Sequence, residues 1–142
     1  VVADLSAIRT GLAARFATIA TFRHAYDVWP DQVNTPCAIV MPAQSSPAAW
    51  REALGGAPSF TFEVTILMCP WADRGLPRAQ RALDEVLDDT GASSVHAAIR
   101  SDRTLGGTVH TCDVAGFTEY GALEMVNGTV YLGCKLLVTV WA

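Results

Sequence analysis

A chain of 142 residues, 51% hydrophobic and 17% charged, carries enough apolar material for one ordinary core. No linker-like stretch divides it, so residues 1–142 read as a single domain, and its longest apolar runs fall far short of the ~20 residues that cross a bilayer. The net charge of −4, with nine arginines and one lysine scattered along the chain, excludes the basic footprint that phosphate binding requires.

Asp4 is a suitable N-cap, and Leu5, Ile8, Leu12, Phe16 and Ile19 recur at helical steps after it, which predicts a first helix to about Ala20. Thr21 to Pro36 reads as irregular, because Trp29-Pro30-Asp31 and Asn34-Thr35-Pro36 restrict the backbone to extended or turn conformations. Cys37 to Met41 is a short apolar run, a buried strand that Pro42 ends. The connection from Pro42 to Pro58 is too long for a tight hairpin and sets Trp50 and Leu54 at helical spacing around Arg51 and Glu52. Trp50, Arg51 and Leu54 are therefore interface candidates, since an aromatic on a polar loop either folds back on the core or meets a partner.

From Ser59 to Cys69 apolar Phe60, Phe62, Val64, Ile66 and Met68 alternate with polar neighbours, the cleanest strand pattern in the chain. Asp73 opens a second helical region with Pro77 in its first turn and a buried stripe of Leu76, Ala79, Leu83, Val86 and Leu87, closed by Thr90-Gly91. Ser93 is expected to cap a short third helix through Val95, Ala98 and Ile99. Thr108 to Gly116 reads as a strand, Tyr120-Gly121 and Asn127-Gly128 as turns, and Val130 to Ala142 as a strand apolar at every even position to Val140. The order helix-strand-strand-helix-helix-strand-strand predicts an α+β fold, a largely antiparallel four-stranded sheet with helices packed on one face.

Sites of chemistry are sparse. Cys37, Cys69, Cys112 and Cys134 lack the short spacing of a zinc site or redox dithiol and are expected to be reduced structural thiols. His110 and Cys112 share a strand face, but two residues span about 7 Å, too far for the hydrogen bond an activated thiol needs. Asp84, Glu85, Asp88 and Asp89 lie opposite the apolar stripe without an interleaved His or Asn, which fits a solvated acidic face better than a metal site. Gly106-Gly107 neither follows a strand nor opens a helix, so it reads as a tight link and not a phosphate cradle. No catalytic, cofactor or metal set emerges, and the absence of a leader pattern at Val1-Val2-Ala3-Asp4 gives an intracellular product as the expectation.

The segment Arg78 to Gly107, with Asp102-Arg103-Thr104-Leu105-Gly106-Gly107 at its end, together with Asn34-Thr35-Pro36 and Gly128-Thr129-Val130-Tyr131-Leu132-Gly133, resembles the tail terminator proteins of long-tailed, siphovirus-type phages, especially those of actinobacteria. The likeness runs over nearly the whole chain. It implies a non-enzymatic virion protein, assembled in the host cytoplasm, that forms a ring, by analogy a homohexamer, at the head-tail junction. Its implied partners are further copies of itself, the major tail tube protein and the head-side connector, with DNA only as cargo passing through the lumen. Another ring protein of the same neck is the first alternative, and a small cytosolic enzyme or ligand-binding domain the second.

Overall fold

The computed structural model describes residues 4–42, 51–52, 58–72, 74–125 and 128–141, with 51, 52 and 58 described by backbone alone. Its elements in chain order are α1 (Leu5–Ala17), β1 (His24–Tyr26), β2 (Cys37–Pro42), β3 (Arg51–Glu52), β4 (Pro58–Pro70), α2 (Leu76–Leu87), α3 (Val95–Ser101), β5 (Thr111–Glu124) and β6 (Val130–Trp141). The class is α+β, as the order of periodic segments predicts. The sheet runs β1-β2-β4-β6-β5, with the two-residue β3 added to β4.

Two details differ from the expected four-stranded antiparallel sheet. β1 forms inside the stretch expected to be irregular and pairs parallel to β2, His24 opposite Cys37, so the sheet is mixed. Arg51 and Glu52 are extended and pair with Ser59 and Pro58, which replaces the helical reading of that part of the loop by a short strand. The remaining ladders, β2·β4, β4·β6 and β5·β6, are antiparallel.

Alternation in β4 and β6 sorts their side chains between the two faces. Phe60, Phe62, Val64 and Ile66 meet Cys134, Leu136, Val138 and Val140 on one face, and the helices cover it with Ile8, Leu12, Phe16, Leu83, Val86, Val95 and Ile99. Each such fully buried side chain contributes about 1.5–3 kcal/mol of transfer free energy, so this layer dominates stability. The described residues cover the opposite face only in part. There Cys37, Ile39, Leu67, Leu123 and Tyr131 form a smaller cluster joined by Tyr26, Val33 and Met41.

Boundary residues follow their hydrogen bonds. Asp4 caps α1 as expected, its Oδ1 accepting from Ala7 N–H at 3.2 Å, but the helix stops at Ala17 with Thr18 as C-cap, three residues before Ala20. Ser94 and not Ser93 caps α3, its Oγ accepting from Ala97 N–H at 3.1 Å. Ser93 instead shares a 3.0 Å hydrogen bond with Thr21, tying the chain after α1 to the start of α3.

The largest correction concerns β5. It extends to Glu124, well past Gly116, because Tyr120-Gly121 is not a turn: the register slips between Val114 and Gly116 and again between Thr118 and Gly121. The positive φ of Gly121 (138°) serves the second of these bulges. The actual reversal lies beyond it, where Met125 N–H bonds Thr129 O at 3.0 Å and Gly128 N–H bonds Met125 O at 2.8 Å. Gly106 and Gly107 adopt φ of 70° and 91° in the link from α3 to β5, the conformation the sequence reading assigns to them.

Candidate interaction surfaces

Of the three interface candidates, Trp50 and Leu54 lie outside the described residues. Arg51 is placed through its backbone alone, in β3 on the margin of the sheet. The other sequence-level sites resolve simply. His110 is exposed and its backbone N–H bonds Trp141 O at 2.9 Å, whereas Cys112 is buried. Burial lifts the Cys112 thiol to about 11 against a smaller opposing effect of Arg103, so it is protonated at neutral pH and is no nucleophile. Burial likewise raises Cys37 and Cys134 to about 12. Asp84, Glu85, Asp88 and Asp89 are all exposed, and among the described residues no group of three or more His, Cys, Asp or Glu could hold a metal ion. Among them, too, no helix is long and apolar enough to cross a membrane.

Two surfaces emerge that the linear sequence does not advertise. The first is a concavity of about 490 Å³ on the face of the sheet opposite the helices. Its walls include apolar Trp29, Met41, Leu123 and Met125, and its charges are Glu63, Glu119, Glu124 and Lys135. Trp29 arrives on the connection between β1 and β2, which is pinned where Asp27 accepts from Thr10 Oγ1 at 3.1 Å and Tyr26 Oη accepts from Asn34 N–H at 3.3 Å. The indole stays 45% exposed at the rim.

Lys135, the single lysine of the chain, bridges two carboxylates in this groove, with Nζ 3.1 Å from both Glu63 Oε1 and Glu119 Oε2. Strand geometry explains the meeting. Lys135 faces Thr65 on β4 and Thr118 on β5, so Glu63 sits two residues along one neighbour and Glu119 one residue along the other. Glu119 reaches the same face only because the bulge sets it at φ 54°, a left-handed conformation that costs a non-glycine residue about 1–2 kcal/mol. Partial burial works against the ammonium, yet the hydrogen bonds and charges of Glu63 and Glu119 outweigh it and hold Lys135 above its ordinary value. With three carboxylates against one ammonium the groove carries a net charge of −2.

The second surface is the outer edge of β5. Its inner side pairs with β6, and among the described residues it ends the sheet order, so its outer side presents backbone donors and acceptors, save near its start, where Arg103 Nε donates to Cys112 O at 3.3 Å and Asp113 Oδ1 accepts from Val114 N–H at 2.9 Å. Phe117 and Tyr120 stand beside that edge, 50% and 37% exposed, with ring centroids 6.3 Å apart. Behind Phe117 a shallow concavity of about 170 Å³ is lined by Leu87, Val95, His96, Val114 and Leu136. Exposed aromatics beside an open strand edge are the composition of a protein contact.

A single sequence signal could have found the groove: Glu63 and Lys135 both occupy polar-face positions of the two cleanest alternating strands, so pairing those strands antiparallel brings their charges together. Neither a protein-family model nor a curated protein matches the chain.

Proposed function

We propose that this chain is a structural subunit of a phage tail, a terminator that closes into a ring on the finished tube and presents a face to the head-side connector. The motifs from Asn34 to Gly133 that resemble tail terminators support the class. The observation that carries the reading is the outer edge of β5 with Phe117 and Tyr120 beside it, a surface whose backbone groups and aromatics fit a protein partner better than a substrate. The buried thiols, held protonated, agree with a role in packing. In this reading Trp50, Arg51 and Leu54 belong to a contact with the tube or with the neighbouring subunit.

The test is the mass of the purified protein, alone and with a phage tail tube protein, followed by electron microscopy of the mixture. The reading expects rings, by analogy six-membered, seated at one end of the tubes. A chain that stays monomeric and leaves tube ends bare removes it. Rings that ignore the tube but bind the connector select the neighbouring neck position.

A further inference from the structure

We infer that the ring is built front to back: the acidic groove on the open face of one subunit receives the arginine ridge on helix α2 of the next copy. This specifies the lateral contact of the ring and rests on the ring reading above.

The ridge consists of Arg74, Arg78 and Arg81, all exposed and none ion-paired with another described residue. Arg81 lies on the outward side of α2, opposite Leu83 and Val86, which face the core, while Arg78 in the first turn and Arg74 just before the helix flank it at the mouth of a concavity of about 360 Å³ lined by Thr21, Met68 and Ala79. Their placement runs against the helix itself. The first turn of α2 holds no acidic residue and the last turn no basic one, while Arg78 sits near the positive end of the helix dipole and Glu85 and Asp88 near the negative end. Gly75 supplies no side-chain cap to offset this. A charge order that costs the helix stability and gains no ion pair among the described residues marks a surface kept for another purpose.

The groove supplies the complement. It holds net negative charge, an exposed indole face at Trp29 on which a guanidinium can stack, and apolar walls at Met41, Leu123 and Met125 for the aliphatic stem of an arginine. Glu124 lines it, exposed and without a partner among the described ion pairs. Its volume of about 490 Å³ falls in the range of clefts that enclose a guest, ~300–1,000 Å³.

Topology then decides what such a contact builds. The groove is on the open face of the sheet and α2 on the covered face, so groove and ridge are on opposite sides of one subunit. A contact between two different patches is heterologous, and its repetition gives a closed ring when the rotation between neighbours closes. The groove takes in Glu119, Leu123 and Glu124 of β5, so only the part of that strand before Glu119, with Phe117 beside it, is left for the tube or the connector.

Charge reversal tests this with two variants. One carries Arg74→Glu and Arg78→Glu; the other carries Glu119→Arg and Glu124→Arg. Each is expected to remain monomeric by native mass spectrometry where the parent assembles, because each sets like charges face to face. The first should also melt at a higher temperature than the parent measured as a monomer, since acid now lies at the dipole's positive end. Mixed in equal amounts, the two variants are expected to assemble again in strict alternation, giving only even-numbered rings.

Variants that assemble alone as the parent does, or a mixture that stays monomeric, overturn the front-to-back contact and leave the ring reading intact. A parent chain that is monomeric at high concentration, with and without tube protein, overturns both.

Discussion

Tyr120 donates a 2.6 Å hydrogen bond from its phenol to Asp84 Oδ1, joining the edge strand β5 to helix α2 across the outside of the subunit. Partial burial, then the bond to Asp84, raises the phenol above its ordinary value against a lowering by Gln80. The bond also fixes the ring that stands over the open edge.

Tyr120→Phe keeps the aromatic surface and removes that tether. Because the pair is exposed, the loss of stability should be below about 1 kcal/mol by chemical denaturation. Amide exchange should instead rise locally in β5 between Thr118 and Gly121, where the bulge depends on the tether for its position. Unchanged exchange there counts against the tether.

Alkaline pH should weaken the fold. Cys37, Cys112 and Cys134 titrate near 9.0 when unfolded and at about 12, 11 and 12 when folded, burial being the main cause. The folded state therefore binds more protons than the unfolded state across that window, and stability falls as pH rises above about 9. Lys135, raised by its two glutamates, adds in the same sense: its contribution is complete below its ordinary value of 10.5 and is lost as pH climbs through the folded value. Denaturation midpoints measured upward from neutral pH should decline from about pH 9, and Cys134→Ala should make that decline shallower. A midpoint that rises with pH in this range contradicts the assignment.

Gly133→Ala should be among the most damaging substitutions in the sheet. Gly133 faces Leu67 at the slip in the β4·β6 register, and a Cβ built there collides with the backbone carbonyl of Ile66. A backbone group in the central ladder cannot give way as a side-chain tip can, so the cost should reach at least the ~1–3 kcal/mol of ordinary overpacking. A thermal melt reads it directly. A melt within error of the parent shows that the strands separate there at little cost.

Phe117→Lys should leave the subunit as stable as before, within about 0.5 kcal/mol, because the ring is half exposed. If the proposed terminator role holds, attachment to tail tubes should be lost, since a charge on an edge strand disfavours pairing with another chain. Sedimentation with tubes separates the two effects. Retained attachment places the tube contact elsewhere.

What could be read from the sequence depended on whether a local pattern survives without its neighbours. β4 and β6 were legible because one face is buried and the other is polar, so alternation records both faces at once. α2 was legible from its stripe and Pro77. β1 was not, since His24, Ala25 and Tyr26 are too few to show a period and their parallel partner lies beyond a ten-residue connection that looks irregular. The second half of β5 was hidden by its bulges: each slip inverts the alternation, and Tyr120-Gly121 carries the residue types of a turn. The groove gathers Trp29, Glu63, Glu119 and Lys135 from one loop and three strands, so only the sheet order, which places β4 and β5 on either side of β6, brings them together.

The two bulges of β5 bear on how the chain avoids others of its kind. A straight fourteen-residue edge would accept any extended segment, and copies of the chain would stick to one another. Each bulge interrupts the row of donors and acceptors and twists the strand away, at Gly116 and again at Glu119 to Gly121. A casual strand finds only short runs to pair with between the interruptions. Only a partner that follows the bends could use more than one of those runs, so the irregularity narrows what the edge accepts.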